Sequence, residues 1–184
     1  MVNCIFSKNT ASGSNGSTGF GGDIDNPGTV VVDASTFSDN SAIGDQPSQG
    51  GGIDNVGTLI LTNSIITANN ASDGPDIYGT LTTGGYNLLT NVTSASELSS
   101  TDKQVTLDDL KLDSMLGNNG GSIQTLKLLP GSVAIDVVPL QACHVTFTDP
   151  VSGQKIMITT DQRGDPRPDG SEQFCNIGAY EYQD

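Results

Sequence analysis

The chain has no tryptophan, one histidine and only 7 Lys plus Arg against 21 Asp plus Glu, a formal net charge of −14 over 184 residues. Each shortage excludes something. Nucleic acid and anionic membrane surfaces both need a basic face, so neither is an expected partner. His144 is the sole histidine. With no G-x-S-x-G string and no Cys/His arrangement around it, it has none of the company of a triad base, and its expected role is packing or surface. No apolar run approaches the roughly 18 residues of a spanning helix, so no membrane insertion is expected. Signal-peptide features are missing too, because Met1 and Val2 lead straight into strand-like sequence. The expectation is a piece of a longer exported protein. Helical periodicity is also missing: across Met1 to Tyr86 no window carries apolar residues at i, i+3, i+4 and i+7 without an intervening Gly or Pro.

What is present is a repeat. GGDIDNPGT, Gly21 to Thr29, returns as GGGIDNVGT, Gly50 to Thr58, and the offset of 29 continues through Val30 to Ala42 and Leu59 to Ala71. IFSKNTA, Ile5 to Ala11, aligns with TFSDNSA at an offset of 31, two extra residues falling in the Gly/Ser-rich loop before Gly21. A degraded copy starts at Pro75. Periods of this length belong to solenoids, propellers or arrays. The elements inside are short β-branched or apolar runs broken by Gly, Asn, Asp and Ser, which selects a β-solenoid. In such a stack each repeated residue sits about 4.8 Å from its copy. Phe6, Phe37 and Ile66 should form one apolar column and Ile24, Ile53 and Ile77 another, with Asn9, Asn40 and Asn69 as a polar ladder. Gly28 and Gly57 should occupy corners needing positive φ or close backbone approach.

The rest reads differently. A Ser/Thr-rich loop is expected from Asn91 to Thr101. One or two strands should follow in Val105 to Leu116, then a strand, a Pro-Gly turn and a last strand in Ile123 to Val138. A hairpin is expected over Cys143 to Thr160. Coils span residues 1–138, best defined in 5–42 and 50–71 and degraded in 75–138, and 139–184 supply hairpin and cap within the same single domain. A solenoid end exposes edges and core, so a C-terminal cap is expected. Cys4 reads as a small buried hydrophobe. A bond between Cys143 and Cys175 would restrict the unfolded chain by roughly 3 to 4 kcal/mol and imply an oxidising compartment.

GG(D/G)IDN-GT followed by a T-F-S-x-N strand resembles the polymorphic outer membrane protein repeats of bacterial β-helices. The tail, NNGGSIQTLKLLPGSVAID, DQRGDPRP and CNIGAYEY, resembles the choice-of-anchor Q region of large secreted bacterial proteins. The resemblance implies an all-β, right-handed parallel β-helix of pectin-lyase-like type, extracellular or at the cell surface, with no activity common to the family. The chain departs from the tail pattern at Asp165, where an apolar residue is usual, and in the hairpin after Cys143.

Related folds include polysaccharide lyases and hydrolases, so catalysis has to be weighed. Hydrolysis needs two carboxyls on one face. Asp23, Asp25 and Asp54 are the candidates, and also the candidates for a bridging calcium ion, although an Asp before Asn at a corner ordinarily bonds its own turn. A lyase needs cations beside its base, and the only arginines, Arg163 and Arg167, lie in the tail motif, where ion pairs pinning the last loop are expected. Arg163-Gly164-Asp165 spells an adhesive tripeptide, but inside that motif it reads as architecture. No cofactor is expected. The leading reading is a structural or adhesive surface module without catalysis, whose partners would be extracellular glycans or proteins. A carbohydrate-active or carbohydrate-binding β-helix is the alternative. The open N-terminal end of the coils suggests self-association.

Overall fold

The 29-residue spacing of the sequence becomes a stacking offset in space. A computed structural model describes residues 1–91, 98–143, 145–149, 151–170 and 172–183, so His144 lies outside the described residues. The first pass of the chain carries β1 (Ile5–Ser7) and β2 (Thr10–Ser12). The second carries β3 (Ile24–Asn26), β4 (Thr29–Asp33), β5 (Thr36–Ser38) and β6 (Ser41–Ile43), and the third β7 (Ile53–Asn55), β8 (Thr58–Thr62) and β9 (Ile65–Thr67). A fourth holds β10 (Ile77–Gly79), β11 (Thr82–Gly85) and β12 (Leu88–Leu89), followed by β13 (Lys103–Gln104). All pairing among these strands is parallel, in sheets ordered β1-β5-β9-β12-β13, β3-β7-β10, β4-β8-β11 and β2-β6. Phe6 faces Phe37, Phe37 faces Ile66, and Ile24 faces Ile53.

Inside the stack, the rings of Phe6 and Phe37 lie 4.6 Å apart and 12° from parallel. Phe37 and Ile66 are fully buried with Leu89 beyond them; Ile24, Ile53 and Ile77 form the second column, and Val32 and Leu61 a third. Each fully buried aliphatic side chain contributes about 2 kcal/mol of transfer free energy.

Polar side chains hold the corners. Asn9 N–H donates to Asn40 Oδ1 at 3.0 Å; Asn40 N–H and Nδ2 both donate to Asn69 Oδ1 at 2.9 Å; Asn69 Nδ2 donates to Asp76 Oδ1 at 2.9 Å. A second ladder, unexpected from sequence, runs from Cys4 N–H to Ser35 Oγ, Ser35 N–H to Ser64 Oγ, Ser64 N–H to Asn87 Oδ1, and Asn87 N–H and Nδ2 to Asp102 Oδ1. In both, the donor belongs to the earlier residue and the acceptor to the later. Both end on a carboxylate, which accepts and cannot donate, so neither continues past Asp76 or Asp102.

The corner glycines need correcting. An added Cβ at Gly57 would lie 2.1 Å from Gly28 O, a close approach, but Gly28 lacks positive φ and a Cβ added there would meet nothing nearer than Asn26 Oδ1 at 3.9 Å. Among non-glycine residues, the repeated left-handed corners are made by Lys8, Asp39 and Ala68, φ 61°, 59° and 56°, and by Asn3, Ala34, Asn63 and Tyr86, φ 49°, 44°, 49° and 57°. Each of these residues directly precedes a ladder residue, or Cys4 and Asn9 that start the ladders. Bonding between passes offsets the cost of holding a side chain there.

Two expected strand regions differ as well. In Val105 to Leu116, Thr106 caps a single-turn helix, α1 (Leu107–Leu110): its Oγ1 accepts from Asp109 N–H at 3.2 Å and donates to Asp109 Oδ2 at 2.7 Å. This reciprocal cap outweighs the apolar-polar alternation. Ile123 to Val138 holds isolated antiparallel bridges, Leu112 with Leu128 and Gly117 with Thr125, before β14 (Val138–Pro139). A second helical turn, α2 (Leu140–Cys143), leads to the antiparallel pair β15 (Val145–Thr148) and β16 (Lys155–Ile158), and β17 (Phe174–Cys175) pairs with β14. Cys143 and Cys175 form a disulfide with Cα atoms 5.7 Å apart.

The C-terminal segment is not an end cap. It covers the outer face of the β1-β5-β9-β12 sheet. Thr36, Ile65 and Leu88 stand in register on that face. Ala179 N–H donates to Thr36 Oγ1, Gly178 N–H to Asn63 O, and Ile65 and Leu88 pack with Leu110, Leu128, Val138, Ile177 and Tyr180. Asn3 Nδ2 reaches Thr160 O, extending the cover to the first pass. The β5-β9-β12 part of this sheet is thus buried on both faces. Beyond the fourth pass, Leu98 packs against the inner core that includes Leu81 and Leu89.

The one-way ladder makes a substitution test available. Asn40→Asp keeps shape but removes the Nδ2 donor and sets a buried carboxylate against Asn69 Oδ1, so urea denaturation should show a loss of about 3 kcal/mol or more. Wild-type stability in that variant would contradict the ladder.

Candidate functional site

The repeat sets Asp25 and Asp54 opposite one another on β3 and β7, with Tyr78 of β10 next in the row. Strand spacing puts such neighbours about 4.8 Å apart. Asp25 is exposed, whereas Asp54 is 2% exposed and its Oδ1 has no hydrogen-bond partner among the described residues. Burial raises the Asp54 carboxyl above the usual range, and the charge of Asp25 adds to this. Asp23 accepts from Asn9 Nδ2 at 2.6 Å through Oδ1, while Oδ2 is buried with no partner among the described residues, and burial pushes this carboxyl up to about 7.

A raised carboxyl beside a second one meets one requirement of glycoside hydrolysis. The other requirement, a cleft holding the sugar over both, is not met by the grooves described below, since neither is lined by Asp23, Asp25 or Asp54. Among the described residues no group of three or more His, Cys, Asp or Glu is arranged to hold a metal ion, so these three carboxylates do not converge as a calcium site would need.

The arginines lie in the C-terminal layer. Arg163 Nε pairs with Asp161 at 2.8 Å and Nη2 with Asp165 at 3.1 Å; Nη1 donates to Asn119 O, Nη2 also to Glu181 O, and the guanidinium stacks 3.9 Å from the centre of the Tyr180 ring. Arg167 Nε pairs with Glu181 at 2.8 Å, and its other nitrogens donate to Gly178 O and Asn3 Oδ1. Both guanidiniums are spent on the fold. With its side chain 4% exposed, Arg163 is not displayed, which removes the adhesive-tripeptide reading of Arg163-Gly164-Asp165.

Two grooves were not foreseen from sequence. One, about 200 Å³, lies where the corners of the second and third passes meet the α1 segment, and is lined by Ser38, Asp39, Thr67, Leu107, Leu110 and Asp113 among others. It combines aliphatic walls with two carboxylates and hydroxyls, and Thr67 Oγ1 is buried with no hydrogen-bond partner among the described residues. Carboxylates and hydroxyls over aliphatic walls suit a ligand with hydrogen-bond donors on an apolar body. The other, about 290 Å³, lies between Met1, Val31 and Asp33 and the β15 residues Val145, Thr146 and Thr148. Both depend on the layer laid against the passes, and no spacing in the repeat reports where that layer sits.

Compared with protein-family models, with curated proteins and with solved structures, the chain gives no match in any of the three.

Acid titration follows from the raised carboxyls. Asp23, Glu172 and Glu181 are each pushed up to about 7, Asp23 and Glu181 chiefly by burial and Glu172 chiefly by its hydrogen bond with Asp169, while burial also raises Asp33, Asp54 and Asp76. An acid with a folded pKa above its unfolded value contributes stability that is complete below about 4 and lost as pH rises through about 7. Asp102 and Asp149, lowered by their hydrogen bonds, act oppositely and only at lower pH. The urea midpoint should therefore rise from pH 8 to pH 5; a steady fall over that range would contradict the assignment.

Proposed function

We propose that the chain is a right-handed parallel β-helix module of an exported or cell-surface protein, acting as a scaffold or adhesive surface and not as an enzyme. The observation that carries this reading is where the repeated polar residues place their hydrogen bonds. Asn9, Asn40, Asn69, Ser35, Ser64 and Asn87 bond from one pass to the next, and the raised Asp54 stands outside both grooves. Parallel passes stacked in register, at offsets of 31, 29 and then 22 to 24 residues, support the β-helix, and the repeat and tail motifs support the likeness to secreted bacterial β-helix proteins. The disulfide and the lack, among the described residues, of a helix long and apolar enough to cross a membrane are compatible with an extracellular setting.

Carbohydrate binding is the second reading. The groove beside α1 favours it, with Asp39 and Asp113 to accept hydroxyl donors and leucines to meet the apolar face of a sugar ring. A glycan array combined with reducing-end assays on plant and microbial polysaccharides separates the readings. No release of reducing ends is expected from any substrate. Turnover that disappears in Asp54→Asn would overturn the scaffold in favour of a hydrolase, and saturable glycan binding lost in Asp39→Asn would establish the second reading.

A further inference from the structure

We propose that the groove beside α1 is a site for one amino-sugar unit whose amine is free and protonated, which rests on the carbohydrate-binding reading of that groove and gives it a substrate class. The strands set out the polar side of the site. Side chains two apart on a strand share a face, so Ser38 lies on the same outer face as Thr36, and Ser7, Ser38 and Thr67 stand in register across β1, β5 and β9.

The C-terminal layer serves one of these rows and not the other. Thr36 Oγ1 accepts from Ala179 N–H at 3.1 Å. The hydroxyls of Ser7 and Thr67 are buried with no hydrogen-bond partner among the described residues, and that of Ser38 makes no bond there either. Buried hydroxyls ordinarily find partners. Ser38 and Thr67, 4% and 1% exposed, line a groove with room for one.

Charge selects the occupant. The carboxylates of the groove belong to Asp39 and Asp113. Among the described residues the Asp39 side chain has no hydrogen bond, Asp113 accepts only from Met115 N–H, at 3.2 Å through Oδ1, and neither is in an ion pair. Lys8 at the rim gives its ammonium to Ser114 O at 3.1 Å instead. Two unneutralised carboxylates on a chain of net charge −14 favour a cation and repel a uronate.

An alkylammonium would meet the carboxylates but leave the hydroxyl row without partners, and a neutral sugar would do the reverse. A protonated amine on a hydroxyl-bearing ring serves both, and the apolar face of the ring meets Leu107, Leu110 and Leu112. At about 200 Å³ the groove is smaller than a drug-sized site, so it takes one ring and not several.

The test uses the full chain with the β-linked disaccharide of glucosamine, its N-acetylated counterpart, cellobiose and hexylamine, followed by titration calorimetry and by NMR amide shifts. The glucosamine disaccharide should bind saturably and about tenfold more tightly than the other three, with shifts confined to residues 38–39, 67–68 and 107–114. Asp39→Asn and Asp113→Asn should each weaken it about tenfold. Both variants keep the fold, since Asn suits the left-handed backbone of residue 39 and an Asn Oδ1 at 113 still accepts from Met115 N–H. Thr67→Val, nearly the same shape, should weaken binding about threefold with no loss of melting temperature, because the hydroxyl it removes has no partner in the fold. Equal binding of cellobiose or of the N-acetylated disaccharide would overturn the amino-sugar assignment and leave a carbohydrate site standing. Equal binding of hexylamine would overturn the sugar itself, and no saturable binding of any of the four would overturn the site and the carbohydrate reading together. Shifts spread over the acidic surface and abolished by salt would also overturn it, as a general attraction between a cation and an acidic chain.

Discussion

Ile65 and Ile66 are neighbours on one strand and belong to different cores. Ile66 points inward to Phe37 and Leu89, and Ile65 points outward to Leu88, Leu110, Ile177 and Tyr180. A pleated strand has no other option, because successive side chains take opposite faces. From this follows the need for a second layer: a row of Thr36, Ile65 and Leu88 left in water would forfeit several kcal/mol of burial. The C-terminal segment meets that need. The disulfide sits within the outer core, joining α2 to β17 across 32 residues and adding about 3 to 4 kcal/mol on the loop-entropy estimate. Arg167 then fastens the layer to the first pass through Asn3 and to itself through the buried Glu181 carboxylate.

Hydrogen-bond chemistry gives the stack a direction. An amide both donates and accepts, so Asn40 and Asn87 relay a ladder, whereas Asp76 and Asp102 only accept and bring it to a stop. Each terminator is ringed by donors: Asp76 also receives Thr90 and Asn91, and Asp102 receives Thr83 and Ser99. Similar donor rings lead to opposite titration because Asp76 is fully enclosed and Asp102 less so, and burial prevails only at the first.

The inner half of this architecture was legible in the sequence because stacking makes copies of the same letter neighbours. Phe6, Phe37 and Ile66, and Ile24, Ile53 and Ile77, repeat for that reason. The outer half left fainter traces. The doublets Ile65-Ile66 and Leu88-Leu89 signal burial on both faces but do not say what covers the second. Thr106 with Asp109 was a readable cap, overlooked because V-T-L-D-D-L also alternates. The corners at Lys8 and Ala68 had no signal, since neither residue prefers a left-handed backbone and the neighbouring passes impose it; Asp39, a type enriched there, was a faint one. Among candidate site residues, Asp25 and Asp54 are brought together as expected from their offset, but a groove over them is a property of layers, which the repeat does not encode.

The interdependence of passes and outer layer is tested most directly by hydrogen exchange during urea unfolding, following residues 1–91 and 98–183 in the same sample before and after reduction of Cys143–Cys175. Both segments should lose protection in one transition, and reduction should shift that transition to lower urea for both. Passes that stay protected at urea concentrations where the C-terminal segment has already exchanged would show that the layer is dispensable, and would contradict a fold built on one sheet buried from both sides.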